Sequence, residues 1–261
     1  MSEAPSNSAA PLVELDGVTA APPGVPDAPE VQGVNWSIGA GQFWAVGGLP
    51  TAGESCLLPT AAGLTRPTMG MVRLFGRDAA ADVDETELLE TRLRIGLVFS
   101  HGGRLFRDQS VLGNITVPLR YHLDLSIDEA EARAEALAEL LGLKPWLHRS
   151  AISLPLVWQQ RTALARSLAL QPEVLFLDRP FSALDFSHRG WWLEFLGELA
   201  AGLDGRPPVT VVVGGDSLKP WQGVASQFAR LNEGRWETVA DPAATDHDVR
   251  DVTRHFTRTK S

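Results

Sequence analysis

The chain lacks the features that mark secreted, membrane-spanning and nucleic-acid-binding proteins. Its 261 residues include one cysteine, Cys56, which excludes an internal disulfide and is typical of a reducing compartment. No apolar run reaches the roughly 18 residues of a membrane-spanning helix, and residues 1–11 show no signal-peptide pattern. The net charge is −9 and no long basic run is present, so nucleic acid is not expected as a partner. We therefore expect a cytoplasmic protein.

Short apolar runs alternate with helical patterns along the chain, which predicts an α/β protein with a substantial sheet. Hydrophobic residues make up 44% of the chain and charged residues 21%, ordinary values for a globular protein. The predicted strands are Phe43–Val46, Val72–Phe75, Ile95–Phe99, Val174–Leu177, Val209–Val213 and Phe228–Asn232.

A capping box of Ser126 and Glu129 predicts a helix that runs to about Leu141, where Gly142 can end it. Five apolar positions of this helix are expected on one face: Ile127, Ala130, Ala134, Leu137 and Leu141. Strand patterns are sparse from the end of this helix to Gln171, which indicates a helical subdomain within the α/β core.

The segment Gly48–Ser55 reads G-L-P-T-A-G-E-S and nearly matches the phosphate-binding pattern G-x-x-x-x-G-K-[ST]. Glu54 stands where the pattern has Lys, whose ammonium reaches the terminal phosphates. Two unit charges 4 Å apart interact by about 4 kcal/mol at an effective dielectric constant near 20, so Glu54 turns attraction into repulsion of similar size. Pro59 is also expected to weaken the helix that follows. The alternative for this segment by itself is a glycine-rich strand-to-helix turn with no ligand.

Later segments, in their order along the chain, resemble those of the ATP-binding subunit of an ABC transporter. They are G-L-V-F-S-H-G-G, then L-A-R-S-L-A-L-Q-P-E-V-L-F-L-D-R-P-F-S-A-L-D, then V-V-V-G-G-D. The segment from Gly96 to His122 is similar to the Mla-type branch. Members of that branch serve lipid transport between membranes, together with a membrane permease and an MCE-domain lipid-binding protein.

The resemblance implies a P-loop NTPase-type ABC nucleotide-binding domain over residues 1–240. Its fold would have a mainly parallel core sheet, an antiparallel β subdomain and a helical subdomain at about 100–170, while residues 241–261 form a polar tail. ATP and Mg²⁺ are the implied cofactors. The implied partners are a membrane permease, an MCE-type protein, and either a second copy or another ABC subunit. The implied location is the cytoplasmic face of the inner membrane.

Several family positions hold residues that cannot perform the family's chemistry. Ser100 stands at the Q-loop glutamine, Arg179 at the catalytic glutamate and Gly215 at the switch histidine. Arginine is always charged and has no acceptor, so it cannot take a proton from water. The Walker A positions are Gly48, Gly53, Glu54, Ser55 and Cys56, and the Walker B aspartate is Asp178. Mg²⁺ would be held by Ser55 and Asp178 if ATP binds.

The signature L-S-G-G-Q of the family, which faces the γ-phosphate bound by the opposite subunit, is also altered. Its positions hold Leu154, Pro155, Leu156, Val157 and Trp158. Proline is acceptable in a first helical turn, so a helix is predicted here, but bulky apolar groups replace the hydroxyl and the glycines. Ser182 and Asp185 match the D-loop, which contacts the second subunit in the family.

Arg179 could pair with Asp178, or with Glu54 across the loop, because the charges of Glu54 and Arg179 are reversed together. Finding the Glu54 and Arg179 side chains far apart would contradict the second pairing.

Eight tryptophans stand against one tyrosine, and several aromatic and aliphatic residues form a helical stripe after the D-loop. The stripe comprises Trp191, Trp192, Phe195, Leu196 and Leu199. Core packing is the favoured interpretation of this stripe, and a protein interface is the alternative. Trp36 and Trp44 are interpreted as core residues of strands.

Three functions are compatible with these patterns. The favoured one is a pseudo-ATPase that assembles a lipid-transport complex without hydrolysing ATP, since the scaffold segments are intact while the chemical positions are changed. The alternatives are a divergent but active ATPase that drives phospholipid transport, and an ABC-type regulator that has no transport role.

Overall fold

The computed structural model of the chain describes residues 10–22, 24, 30–48, 54–79, 85–182, 184–203, 205–232 and 234–240. In this part of the chain ten strands form one sheet. They are β1 (Val13–Ala20), β2 (Val31–Ile38), β3 (Phe43–Gly48), β4 (Met69–Leu74), β5 (Arg77–Asp78), β6 (Ile95–Val98), β7 (Val174–Asp178), β8 (Thr210–Gly215), β9 (Gln227–Asn232) and β10 (Arg235–Thr238). The α-helices described are α1 (Glu54–Ala61), α2 (Glu85–Leu93), α3 (Val111–Leu123), α4 (Ile127–Leu140), α5 (Leu156–Leu168) and α6 (Phe186–Ala201).

The sheet has two parts with different strand directions. Its order is β5-β4-β1-β2-β10-β9-β3-β8-β7-β6. Strands β9, β3, β8, β7 and β6 pair in parallel, whereas β5, β4, β1 and β2 pair antiparallel. Every residue of β7 is buried, as expected for a parallel strand that is covered on both faces. The predicted α/β class, with a mainly parallel core and an antiparallel β part, is therefore confirmed.

All six predicted strands are present, with ends that differ by at most three residues. No bounds were predicted for β1, β2, β5 and β10, because β5 and β10 are only two and four residues long and register shifts between β1 and β2 break their period-two spacing. Residues 21–30 link β1 to β2 along the chain. Residue 23 and residues 25–29 of that stretch lie outside the described residues.

Helices α3, α4 and α5 lie between β6 and β7, as the sequence indicates for a helical subdomain. The Ser126 hydroxyl accepts from the Glu129 N–H and the Glu129 carboxylate accepts from the Ser126 N–H, so the predicted capping box is confirmed. Ala130, Ala134 and Leu137 are buried. Ile127, the first residue of the helix, is 54% exposed, so the buried part of this face begins at Ala130.

Apolar clusters cover both faces of the core sheet. Phe43 and Ala45 of β3 belong to the cluster formed with α3 to α6, and Trp44 and Val46 belong to the cluster formed with α1 and the antiparallel strands. This alternation is the period-two pattern of a strand buried on both faces. Trp36 also lies in the second cluster, so Trp36 and Trp44 are core residues as predicted.

The stripe on α6 supports the core interpretation. Trp192, Phe195, Leu196 and Leu199 are buried, while Trp191 is half-buried and stacks on Phe195 at 5.0 Å between ring centroids. In the described part of the chain, no helix is long and apolar enough to cross a membrane.

Candidate nucleotide site

The candidate site lies at the carboxyl ends of β3, β7 and β8. Asp178 is in register with Gly214, and Gly47 is in register with Gly215, so three segments predicted to serve one site meet at one edge. In open α/β sheets ligands bind at this edge. Gly48 ends β3 and helix α1 begins at Glu54. Residues 49–53, including the predicted Gly53, lie outside the described residues, as do the side chains of Glu54 and Ser55.

Asp178 has the environment expected of a ligand-binding carboxylate. It is the last residue of β7 and is 4% exposed. Its Oδ1 is buried and has no hydrogen-bond partner among the described residues. A buried carboxylate oxygen without a partner is costly, and a hard cation or its bound water would satisfy it. Taken alone, Asp178 fits the predicted Mg²⁺ role.

Arg179 is directed toward the end of β8. Its backbone φ is +48°, its N–H donates to the Gly214 carbonyl at 2.9 Å, and its Nη2 donates to Asp216 Oδ1 at 2.6 Å. The Arg179 side chain is 20% exposed and that of Asp216 is 65% exposed. The pairing of Arg179 with Asp178 is therefore wrong, because the left-handed backbone at Arg179 carries the guanidinium to the next strand. The pairing with Glu54 stays a prediction.

The three glycines at the ends of β3 and β8 differ in the room that they leave for a β-carbon. A Cβ at Gly214 would lie 2.9 Å from Leu58 Cδ1, and one at Gly47 would lie 2.8 Å from Leu218 Cγ. A Cβ at Gly215 would find only the Ser217 carbonyl, at 4.0 Å. A β-carbon would therefore fit at Gly215, whereas it would be crowded at Gly214 and Gly47.

An open cleft of about 260 Å³ lies beside the ion pair. Arg179 and Asp216 line it together with Ser182, and the stacked rings of Phe181 and Trp221 form another part of its wall. The Ser182 N–H donates to the Arg179 carbonyl at 3.0 Å, so this D-loop serine follows directly from the turn at Arg179. Arg179, which the resemblance aligns with the general base, is therefore a cation that lines this cleft.

Asp185, the other D-loop residue, begins α6. Its Oδ1 accepts from the His188 N–H at 2.9 Å, from His188 Nδ1 at 2.8 Å and from the Ser187 hydroxyl at 2.8 Å. The hydrogen bond from the His188 N–H, with those from the His188 and Ser187 side chains, holds the pKa of the Asp185 carboxyl well below its usual range. Within this subunit the carboxylate is therefore a helix N-cap.

Ser100 follows β6 and precedes an unusual turn. His101, Gly102, Gly103 and Arg104 all have positive φ, between 51° and 85°. Arg166 of α5 donates to the carbonyls of Gly103 at 2.7 Å and Arg104 at 3.1 Å, which fixes the turn against α5. Burial lowers the pKa of the Arg166 guanidinium. The family's glutamine is therefore replaced by a short serine at the start of a turn that is held in place.

The signature positions form an apolar surface. Pro155 is the N-cap of α5, so it lies one residue before the helix and not inside its first turn as predicted, and its side chain accepts no capping hydrogen bond. Leu154 is buried, and Leu156, Val157 and Trp158 are half-buried. The helix forms as predicted. The described side chains at these positions offer no hydroxyl to an anion.

Two residues of this region were missed by sequence reasoning. Asp216 belongs to the segment V-V-V-G-G-D, and no role is predicted for it from the sequence. Its negative charge next to Gly215 could have indicated a partner for Arg179. Arg166 was read as scaffold, and nothing in its spacing indicates the carbonyls of Gly103 and Arg104. Cys56, a Walker A position, is buried, and burial raises the pKa of its thiol to about 11.

The described residues fit Mg-ATP only in part. Asp178 suits a metal-bound water, but Arg179 has no acceptor and cannot act as a general base, and Gly215 has no side chain to contact a γ-phosphate. No group of three or more potential metal-ligating side chains occurs in the part of the chain that the structure describes. We derive no catalytic step through ATP at this site.

Comparison with known proteins identifies the family of the fold. The model of the ABC transporter family matches residues 31–182. The sulfate/thiosulfate import ATP-binding protein CysA of Mycolicibacterium paratuberculosis is 34% identical over 80% of this chain and 54% of its own length. The lipoprotein-releasing system ATP-binding protein LolD of Anaeromyxobacter dehalogenans is 38% identical over 68% of this chain and 74% of its own length. This chain thus spans about half the length of the CysA relative.

A solved structure of an ATP-binding cassette has a similar fold. The dimeric ATP-binding cassette MJ0796, in a post-hydrolysis state bound to ADP and Pi, superposes with a TM-score of 0.74 at 27% identity. That match covers 88% of this chain and 99% of the other.

Proposed function

This chain belongs to the ABC transporter family, and we propose that it is a cassette subunit that assembles a transporter without hydrolysing ATP. The observation that carries this proposal is the ion pair of Arg179 with Asp216. The pair supports the proposal because Arg179, which the resemblance aligns with the catalytic glutamate, is a permanent cation already bound to a carboxylate. A general base contributes roughly 10²–10⁴ to a rate, and Arg179 cannot act as one.

The other altered positions also disfavour ATP hydrolysis. By the resemblance, Glu54 stands for the phosphate-binding lysine, Gly215 for the switch histidine although a β-carbon would fit there, and Trp158 and its neighbours for the polar signature. Loss of such charge clamps in phosphoryl transfer costs roughly 10³–10⁵ in rate. An active but divergent ATPase is the second candidate, favoured by the buried, unpartnered Oδ1 of Asp178 within the described residues.

A membrane permease is the proposed partner. An open groove of about 420 Å³ lies between β6, α3 and α5, and it is lined by Phe106, Val117, Tyr121 and Arg166 among others. Tyr121 is 80% exposed and Phe106 48% exposed. Aromatic side chains beside an arginine are the composition typical of interface anchors. The location proposed for the subunit is the cytoplasmic face of the inner membrane.

A lipid substrate and an MCE-type partner are the finer part of the proposal. Their support is the resemblance of residues 96–122 to the Mla-type branch. The names of the relatives indicate other cargo as well, namely sulfate or thiosulfate, methionine and lipoproteins. Residues 1–240 are proposed as the cassette and residues 241–261 as a polar tail.

The test is hydrolysis and binding measured on the same purified chain. We expect no phosphate release above a blank at millimolar Mg-ATP, and no saturable rise in melting temperature. A ligand at 100 times its Kd would add about 2.7 kcal/mol to the free energy of unfolding, so binding is easily detected. Turnover near 1 s⁻¹, an ordinary enzyme rate, would refute the proposal. ATP binding without turnover would be compatible with the assembly role and would show that only hydrolysis is lost.

A further inference from the structure

Arg161 is a buried cation whose guanidinium lies between two indole rings. Its Cζ is 3.5 Å from the centroid of the Trp191 ring and 4.8 Å from that of the Trp158 ring. Arg161 is 7% exposed. In the described part of the chain no carboxylate lies within ion-pair distance of Arg161, so the two rings take the place of a counter-ion.

The Arg161 side chain joins three helices. Arg161 and Trp158 belong to α5 and Trp191 belongs to α6. Arg161 Nη1 also donates to the carbonyl of Leu141, the C-cap residue of α4, at 3.2 Å. A Cβ at Gly142, where φ is +67°, would lie 3.3 Å from that nitrogen, so glycine lets the guanidinium reach the end of α4.

Burial has a cost that the rings and the carbonyl offset only in part, because the Arg161 Nε is buried and has no hydrogen-bond partner among the described residues. Loss of hydration lowers the pKa of the Arg161 guanidinium to about 10, which still leaves it protonated at neutral pH. A desolvated cation between aromatic faces is the geometry in which cation–π attraction is strongest. The aromatic contacts continue from Trp158 to Trp146 at 5.8 Å and from Trp191 to Phe195 at 5.0 Å, so the cation lies inside a continuous aromatic cluster.

We propose that Trp158, Arg161 and Trp191 form an internal clasp that holds the first turn of α5 and the end of α4 in one orientation against α6. Trp158, at the last position that the resemblance assigns to the signature, then packs on a side chain of its own subunit. The clasp is built from protein groups alone, so this inference does not depend on whether ATP binds.

Amide hydrogen exchange, measured on the full chain without nucleotide, tests the clasp. Arg161→Met keeps the length of the side chain and removes its charge. We expect it to raise exchange by about tenfold at the end of α4 and in the first turn of α5, the change expected when a desolvated cation–π contact is lost. Strands β1 and β2, whose buried residues belong to the other apolar cluster, should keep the exchange rates of the parent chain.

Matched variants separate the clasp from general packing. Trp191→Leu should reproduce the local effect of Arg161→Met, and the two together should add little, because both remove one interaction. Trp146→Leu is the control, since Trp146 contacts Trp158 but not Arg161, and it should raise local exchange much less. If Arg161→Met does not fold, Arg161→Lys keeps the charge without the planar group and should give a smaller local increase.

Two results would overturn the proposal. One is unchanged exchange at α4 and α5 in Arg161→Met. The other is an equal rise throughout the chain, including β1 and β2, which would indicate general destabilisation and no clasp.

Discussion

Replacing Gly103 by alanine should destabilise the protein strongly, because the turn after Ser100 presses on α5. Gly103 has a φ of +68°, and a Cβ there would overlap the methyl group of Ala163 and lie 3.5 Å from its Cα. The left-handed backbone costs an alanine roughly 1–2 kcal/mol, and forced overpacking costs roughly 1–3 kcal/mol. The turn cannot move away freely, since Arg166 binds the Gly103 carbonyl at 2.7 Å. We expect a loss of about 3 kcal/mol.

Urea unfolding followed by circular dichroism measures this loss, with two glycine controls. Gly76→Ala has a similar φ of +79° but finds no atom within 4 Å, so it should lose only the backbone part, about 1 kcal/mol. Gly190→Ala lies within helix α6 with nothing within 4 Å, and it should gain about 1 kcal/mol. The slope of free energy against urea should stay constant in all three variants.

A second-site change sharpens the test. Ala163→Gly alone should cost about 1 kcal/mol, as glycine does inside a helix, but in the Gly103→Ala background it should recover the overpacking part. A loss from Gly103→Ala no larger than that from Gly76→Ala would refute the close contact between the turn and α5.

Three further predictions concern charges and caps. In a double-mutant cycle, Arg179→Met and Asp216→Asn should show a coupling of about 0.5–1 kcal/mol, and additive losses would contradict the ion pair. The pKa of Asp185 is lowered in the folded chain, so its stabilising effect is complete above the unfolded pKa near 4 and is lost as pH falls toward the folded value. Asp185→Asn should therefore lose less stability than the parent on acidification below about pH 4, as measured by unfolding against pH. Ser126→Ala should cost about 1 kcal/mol of unfolding free energy, and no change would contradict the capping box of α4.

Part of the candidate site could be predicted from the sequence because its residues follow predicted strands. Asp178 and Gly215 end β7 and β8, and parallel strands bring their carboxyl ends to one edge. The partner of Arg179 could not be predicted, because it depends on a positive φ at one residue and on the register of two strands. The predicted contact with Glu54 involves a side chain outside the described residues.

The sequence by itself determined the features that depend on neighbours within a few positions. The buried run of β7, the capping box of α4 and the chemical character of Arg179 and Gly215 are local properties, and they follow from residue type and spacing. The tertiary structure alone decided the order of the ten-stranded sheet and the contact between Arg161 and Trp191, which are 30 positions apart. Such contacts form only after chain closure and packing have placed separate helices together, and no local pattern records that geometry.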